Sequence, residues 1–121
     1  MNNIARIKER YLRDDLPRRL GGLAADLARI ASSARHPAGH ESVTAMLEES
    51  QYFIEWTAGD LAETDIEAAA ELVDIQVMIA LWRRAWADAS QNPHQRSLLS
   101  LQAKKWSDQV LGYSGLLNTA S

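Results

Sequence analysis

The 121-residue sequence contains no cysteine, three prolines and a single phenylalanine. Without cysteine the chain has no disulfide, no thiolate metal ligand and no cysteine nucleophile, a composition that suits a reducing compartment. The longest apolar run, residues 77–82, is far shorter than the roughly 20 residues that a membrane-spanning helix needs. Charges interrupt residues 1–10 where a signal peptide would be apolar. We therefore predict a cytoplasmic protein with no membrane contact and no resident cofactor.

Lysine and arginine are absent from residues 41–80, which hold ten acidic side chains and so carry a net charge of −10. Residues 1–40 carry +4 and residues 81–121 carry +3, which gives the total of −3. Such blocks indicate either charge pairing between packed helices or a charged partner. The basic N-terminal segment suggests nucleic-acid binding, but the pI of about 5.5 argues against it. Pairing between neighbouring helices is the simpler interpretation.

Apolar residues recur every three or four positions along most of the chain, which is the helical spacing. Asp15 before Pro17, the pair Thr64 and Glu67, and Asn92 before Pro93 are typical helix starts. We predict one all-α domain over residues 1–121, an up-down antiparallel four-helix bundle. Its predicted helices are 3–35 (kinked or broken at Pro17), 41–58, 65–90 and 93–112. Residues 3–13 could instead fold over as a separate short helix.

The predicted helix 65–90 has apolar residues on two opposite sides. At 100° per residue one stripe is bulky and contains Ala68, Leu72, Ile75, Ile79, Trp82 and Trp86. The opposite side is built of smaller residues: Ile66, Ala69, Ala70, Val73, Val77 and Ala80. A helix that is apolar on two sides has to bury both.

Two explanations account for this pattern, and the sequence leaves both open. Either helix 65–90 is the most central helix of the bundle, or one side meets a second copy of the chain. In the second case we expect the bulky stripe in the core and the small-residue side, Ile66 to Ala80, as the interface, because small side chains permit close helix approach. The predicted partner is then a second copy in a homodimer, or another protein.

Glu71 and Asp74 lie three residues apart, so they share one helix face and could hold Mg²⁺. In this pair the segment resembles the MazG-like all-α nucleotide pyrophosphohydrolases. The resemblance implies Mg²⁺-dependent cleavage of a nucleoside triphosphate, with a second carboxylate pair from the preceding helix. Glu48 and Glu55 are the candidates for that second pair. Here the sequence departs from the family, since Gln51 and Tyr52 stand three residues after Glu48 and Glu49.

A second resemblance covers most of the chain. The runs Tyr52–Trp56, Ala69–Gln76, Trp106–Leu111 and Ser114–Leu117 resemble a family of small uncharacterised all-helical proteins from photosynthetic bacteria. That resemblance implies no activity. With no Gly-rich phosphate loop and no Gly-x-Ser-x-Gly motif in the sequence, we predict a non-enzymatic interaction module, with the Mg²⁺-dependent hydrolase as the alternative and nucleic-acid binding third.

Overall fold

The computed structural model describes residues 3–115, and within that range it contains five α-helices and no strand. A short 3₁₀ turn over Pro37–Gly39 connects the second helix to the third. The helices are α1 Asn3–Arg13, α2 Leu16–Ala34, α3 His40–Ala62, α4 Ile66–Ala89 and α5 Pro93–Ser114. The prediction of an all-α chain is confirmed.

Side-chain caps define the starts of three helices. The Asp15 carboxylate accepts from the Arg18 amide at 3.1 Å, and Asn92 accepts from the amides of His94 and Gln95. Both caps were predicted. The predicted Thr64 cap is wrong by one residue, because Asp65 provides the cap of α4 by accepting from the Ala68 amide at 3.0 Å.

Of the two alternatives for residues 3–35, the single kinked helix is wrong, and the chain forms the separate short helix followed by a second helix. Asp15 adopts an extended backbone conformation (φ −70°, ψ 169°), which ends the helical path two residues before Pro17. The α1 helix then lies against α3, where the Tyr11 ring stacks on Phe53 with centroids 4.0 Å apart. The Tyr11 hydroxyl donates to the Arg19 carbonyl and accepts from Thr57 Oγ1. Tyr11 therefore fixes α1 as a separate arm.

The α2 and α3 helices are the inner ones, since α2 packs against α3 and α5 and α3 packs against α2 and α4. The α2 helix also packs against α5 in close contact. It approaches α5 closely because the facing side chains are small: Ser107 Oγ donates to the Ala24 carbonyl at 2.7 Å, and Ser100 Oγ to Ala31 at 2.6 Å. The same bonds show that the two helices run antiparallel. Contacts of Arg83 with Glu48 and of Trp86 with the His40 carbonyl show that α3 and α4 are antiparallel as well.

Ion pairs between the charge blocks are few. In the described part of the chain, Arg19 of α2 pairs with Asp60 of α3 at 3.0 Å, and Arg83 of α4 with Glu48 at 3.1 Å. The second part of the basic N-terminal segment packs beside the acidic helix, because α2 lies on α3. Two such pairs, each worth at most about 1 kcal/mol where exposed, leave most of the acidic block facing solvent.

Candidate functional site

The surface of helix α4 divides into four sides with different surroundings. Its bulky stripe, the six residues from Ala68 to Trp86 named above, is buried as predicted. One flank meets α3, where Gln76 Nε2 donates to the Gln51 carbonyl and Arg83 bonds Glu48. The opposite flank faces α5, where Glu71 accepts from Gln109. The fourth side, directly opposite the core stripe, has no neighbouring helix within residues 3–115.

That fourth side is the predicted small-residue face, and four of its six predicted members are exposed: Ile66, Ala70, Val73 and Val77. Ala69 is buried and Ala80 half-buried, because they lie on the flank that turns toward α3. These two therefore belong to the packing within the chain. The exposed side also rules out the explanation that α4 is the most central helix, since α2 and α3 are the inner helices.

Leu81 continues this side and was missed by the sequence analysis, although it stands four residues after Val77, the spacing that should have included it. The exposed fractions of its bulky residues are 68% for Ile66, 43% for Val73, 55% for Val77 and 54% for Leu81. With Ala70 they form a line within about 80° of the helix circumference. We call Ile66, Ala70, Val73, Val77 and Leu81 the α4 outer face.

A cleft between α4 and α5 adjoins the α4 outer face at Leu81. Its volume is about 310 Å³, and it is lined by Met78, Leu81, Trp82, Ala85, Gln95, Leu98 and Gln102. Trp82 Nε1 donates to Gln102 Oε1 at 2.7 Å across the cleft floor, so the indole nitrogen is satisfied and the ring presents apolar surface. Met78 and Leu98 on the walls are themselves more than one-third exposed. The cleft is therefore apolar and accessible.

The four candidate Mg²⁺ ligands do not come together. Glu71 faces α5, Glu48 is paired with Arg83 on the α3 side, and Asp74 and Glu55 are exposed. Among residues 3–115, no three acidic or histidine side chains lie close enough to hold one metal ion. The second carboxylate pair implied by the pyrophosphohydrolase resemblance is thus not assembled.

Glu71 instead ties α4 to the end of α5. Its Oε1 accepts hydrogen bonds from the Tyr113 hydroxyl and from Gln109 Nε2. These bonds favour the ionised carboxylate, so they hold the pKa of Glu71 below its usual value, with Tyr113 the larger cause. Burial, together with the same contact, raises the pKa of Tyr113. This arrangement orients helices and leaves no vacant ligand position on Glu71 Oε1.

A second acidic pair lies between α2 and α3 and was not foreseen. Asp26 is buried, and its Oδ1 accepts from Arg29 at 3.1 Å while Oδ2 has no protein donor. Burial chiefly, and the neighbouring Glu49 carboxyl in addition, raise the pKa of Asp26 to about 8. Both causes favour the protonated form of Asp26.

The third functional hypothesis, nucleic-acid binding, depends on the arginines of α1. Arg6, Arg10 and Arg13 form an exposed surface on that helix. Glu9 lies among them and pairs with Arg13 at 2.9 Å, which reduces the positive charge there. Lys8 sits on the other side, 5.9 Å from the Trp56 ring centroid. This geometry does not strengthen the nucleic-acid hypothesis.

No protein-family model, curated protein or solved structure matches the chain. Within residues 3–115, no helix combines the length and apolarity needed to cross a membrane. The features that bear on function are therefore those of α4 and its neighbouring helices.

Proposed function

We propose that this protein is a non-enzymatic, self-associating interaction module, and that the α4 outer face is its contact surface. The observation that carries the proposal is the line of four bulky apolar side chains, each 43–68% exposed, on a helix whose other three sides are occupied. Contiguous apolar surface of this kind is typical of protein–protein contacts. We further propose that α2–α5 form an up-down bundle with α1 as an added arm, and that the protein acts in the cytoplasm.

The α4 outer face predicts a weak dimer. Completing the burial of a half-exposed aliphatic side chain contributes about 1 kcal/mol. Four such residues on each copy contribute about 8 kcal/mol, which is comparable with the roughly 4–15 kcal/mol that association costs in lost motion. At the lower end of that cost about 4 kcal/mol remains, so we expect a dissociation constant of about 1 mM and exchange between monomer and dimer.

Sedimentation equilibrium over a concentration series tests the proposal. The mass should rise from 13.5 kDa toward twice that value as the concentration increases. Val77→Lys puts a charge within the α4 outer face and should keep the protein monomeric, with little loss of folding stability because Val77 is exposed. Leu101→Lys, at a similarly exposed residue of α5, is the matched control and should not change association. At about 1 mM, the expected dissociation constant, about half of the chains should be in dimers, so a wild-type mass that stays monomeric at that concentration would refute self-association.

The hydrolase alternative is tested by thermal shift with Mg²⁺ and a panel of nucleoside triphosphates. Stabilisation that Glu71→Gln abolishes and Tyr113→Phe preserves would replace our proposal with nucleotide binding. The second variant is needed because Glu71 also bonds Tyr113, so a loss common to both variants would reflect helix docking. No stabilisation by any nucleotide would leave the interaction module as the supported function.

A further inference from the structure

We infer that two copies pair through α4 in antiparallel orientation, so that Ile66 of each copy lies over the α4–α5 cleft of the other. This inference rests on the proposed function and adds the orientation, the register and the occupant of the cleft. Three observations lead to it: the spacing of the apolar residues, the distribution of charge along α4, and the position of the cleft.

The apolar spacing is nearly symmetric about the middle of the α4 outer face. Its five residues, 66, 70, 73, 77 and 81, are separated by four, three, four and four positions. Turning a second copy end for end about a point beside Val73 places Ile66 opposite Leu81 and Ala70 opposite Val77. Val73 then lies next to its own counterpart. One surface thus supplies both halves of the contact, as a two-fold dimer requires.

The charges distinguish this orientation from the parallel one. Acidic residues occupy the N-terminal end of the surface, where Glu63 and Glu67 are exposed and no lysine or arginine occurs between positions 36 and 82. Arg84 lies at the C-terminal end, on the same side of α4 as Ile66 and one turn before the exposed Asp88. Arg84 makes no ion pair within residues 3–115. Antiparallel pairing brings Arg84 toward Glu63 and Glu67 of the second copy. Parallel pairing would instead bring acidic end to acidic end and Arg84 to Arg84, which is unfavourable.

The cleft supplies the place for the most exposed side chain of the surface. Ile66 is 68% exposed, and in this register it faces Leu81, which forms the edge of the α4–α5 cleft. Met78 and Leu98 line the same opening. An aliphatic side chain from the second copy fits the apolar character of these walls. Each copy therefore contributes one projecting isoleucine and one cleft.

Single-cysteine variants test the orientation directly, because the wild-type chain has no cysteine to interfere. Val73→Cys should cross-link to itself with a short bis-maleimide, since the two copies of residue 73 lie beside the symmetry axis. Ile66→Cys should not, because antiparallel pairing separates its two copies by about 22 Å along the helix axis, at 1.5 Å per residue. A mixture of Ile66→Cys and Leu81→Cys should cross-link roughly tenfold faster than Ile66→Cys alone.

A second mixture, Ala70→Cys with Val77→Cys, keeps Ile66 and Leu81 in place and should cross-link in the same register. Leu101→Cys on α5 is the control for random collisions. Efficient self-coupling of Ile66→Cys would overturn the antiparallel arrangement while leaving self-association intact. A dimeric mass without coupling at any α4 position would move the contact elsewhere and overturn this inference. A monomeric mass at all concentrations would instead refute the proposed self-association, on which this inference rests.

Discussion

Replacing Asp26 by asparagine should remove a large part of the pH dependence of folding stability. In the folded protein the pKa of Asp26 is raised to about 8, chiefly by burial, from a value of 3.8 in an exposed chain. Between these two values the folded state holds a proton that the unfolded state has released. Stability therefore falls as the pH rises through this range, is highest below about pH 4, and levels off above about pH 8.

The size of the effect follows from the same two values. Each pH unit in this window costs about 1.4 kcal/mol, so the contribution of Asp26 should fall by about 3 kcal/mol between pH 5 and pH 7. Asparagine has the shape of the protonated acid, can still accept from Arg29 through its oxygen, and can donate to Glu49. We therefore expect Asp26→Asn to resemble the wild type at pH 5 and to be more stable at pH 8.

Urea unfolding followed by tryptophan fluorescence at pH 5, 7 and 8 measures these differences, since the chain contains four tryptophans. The control is Glu55→Gln, which removes an exposed carboxyl from α3. The difference in unfolding free energy between Asp26→Asn and the wild type should grow with pH, whereas the Glu55→Gln difference should not. A difference that is constant from pH 5 to pH 8 would refute the raised pKa of Asp26.

Two further predictions concern helix docking. Tyr11→Phe removes the hydrogen bonds to Arg19 and Thr57 but keeps the stack on Phe53. It should therefore lower the unfolding free energy by about 1–2 kcal/mol in the same urea assay. A loss no larger than that of the exposed control Leu12→Ala would contradict the role of Tyr11 in docking α1. Ser107→Val replaces a hydroxyl that donates to the Ala24 carbonyl with a branched apolar group at the close α2–α5 contact. It should lower the unfolding free energy by about 1–3 kcal/mol. Ser97→Val, on the exposed side of α5, is the control and should change the unfolding free energy little.

Local chemistry made several features predictable from the sequence. Asp15 and Asn92 were identified as caps because short polar side chains before a proline satisfy free amides at a helix start. The two apolar sides of α4 were identified from periodicity alone, and the core side is buried as predicted. The predicted helix end at residue 58, just before Gly59, is wrong. The α3 helix continues to Ala62 because burial of Leu61 outweighs the roughly 1 kcal/mol that a helical glycine costs.

Features that depend on distant partners could not be predicted. The choice between a kinked helix and a separate α1 arm, which the sequence left open, depends on Tyr11 reaching Phe53 and Thr57, more than forty residues away in the chain. The pairing of Asp26 with Glu49 likewise requires α2 and α3 to be adjacent in register. Periodicity gave the outward side of α4 but not which members remain exposed, because the position of α3 decides that Ala69 is buried and Ile66 is not.

A dilution series of amide NMR spectra locates any self-contact residue by residue, and so tests whether the α4 outer face pairs with itself. On dilution from about 1 mM, near the expected dissociation constant, we expect shifts confined to the amides of the α4 outer face, to those around the α4–α5 cleft, and to Arg84. Spectra that do not change with concentration, or changes that fall on α1 and the exposed side of α2 instead, would contradict it.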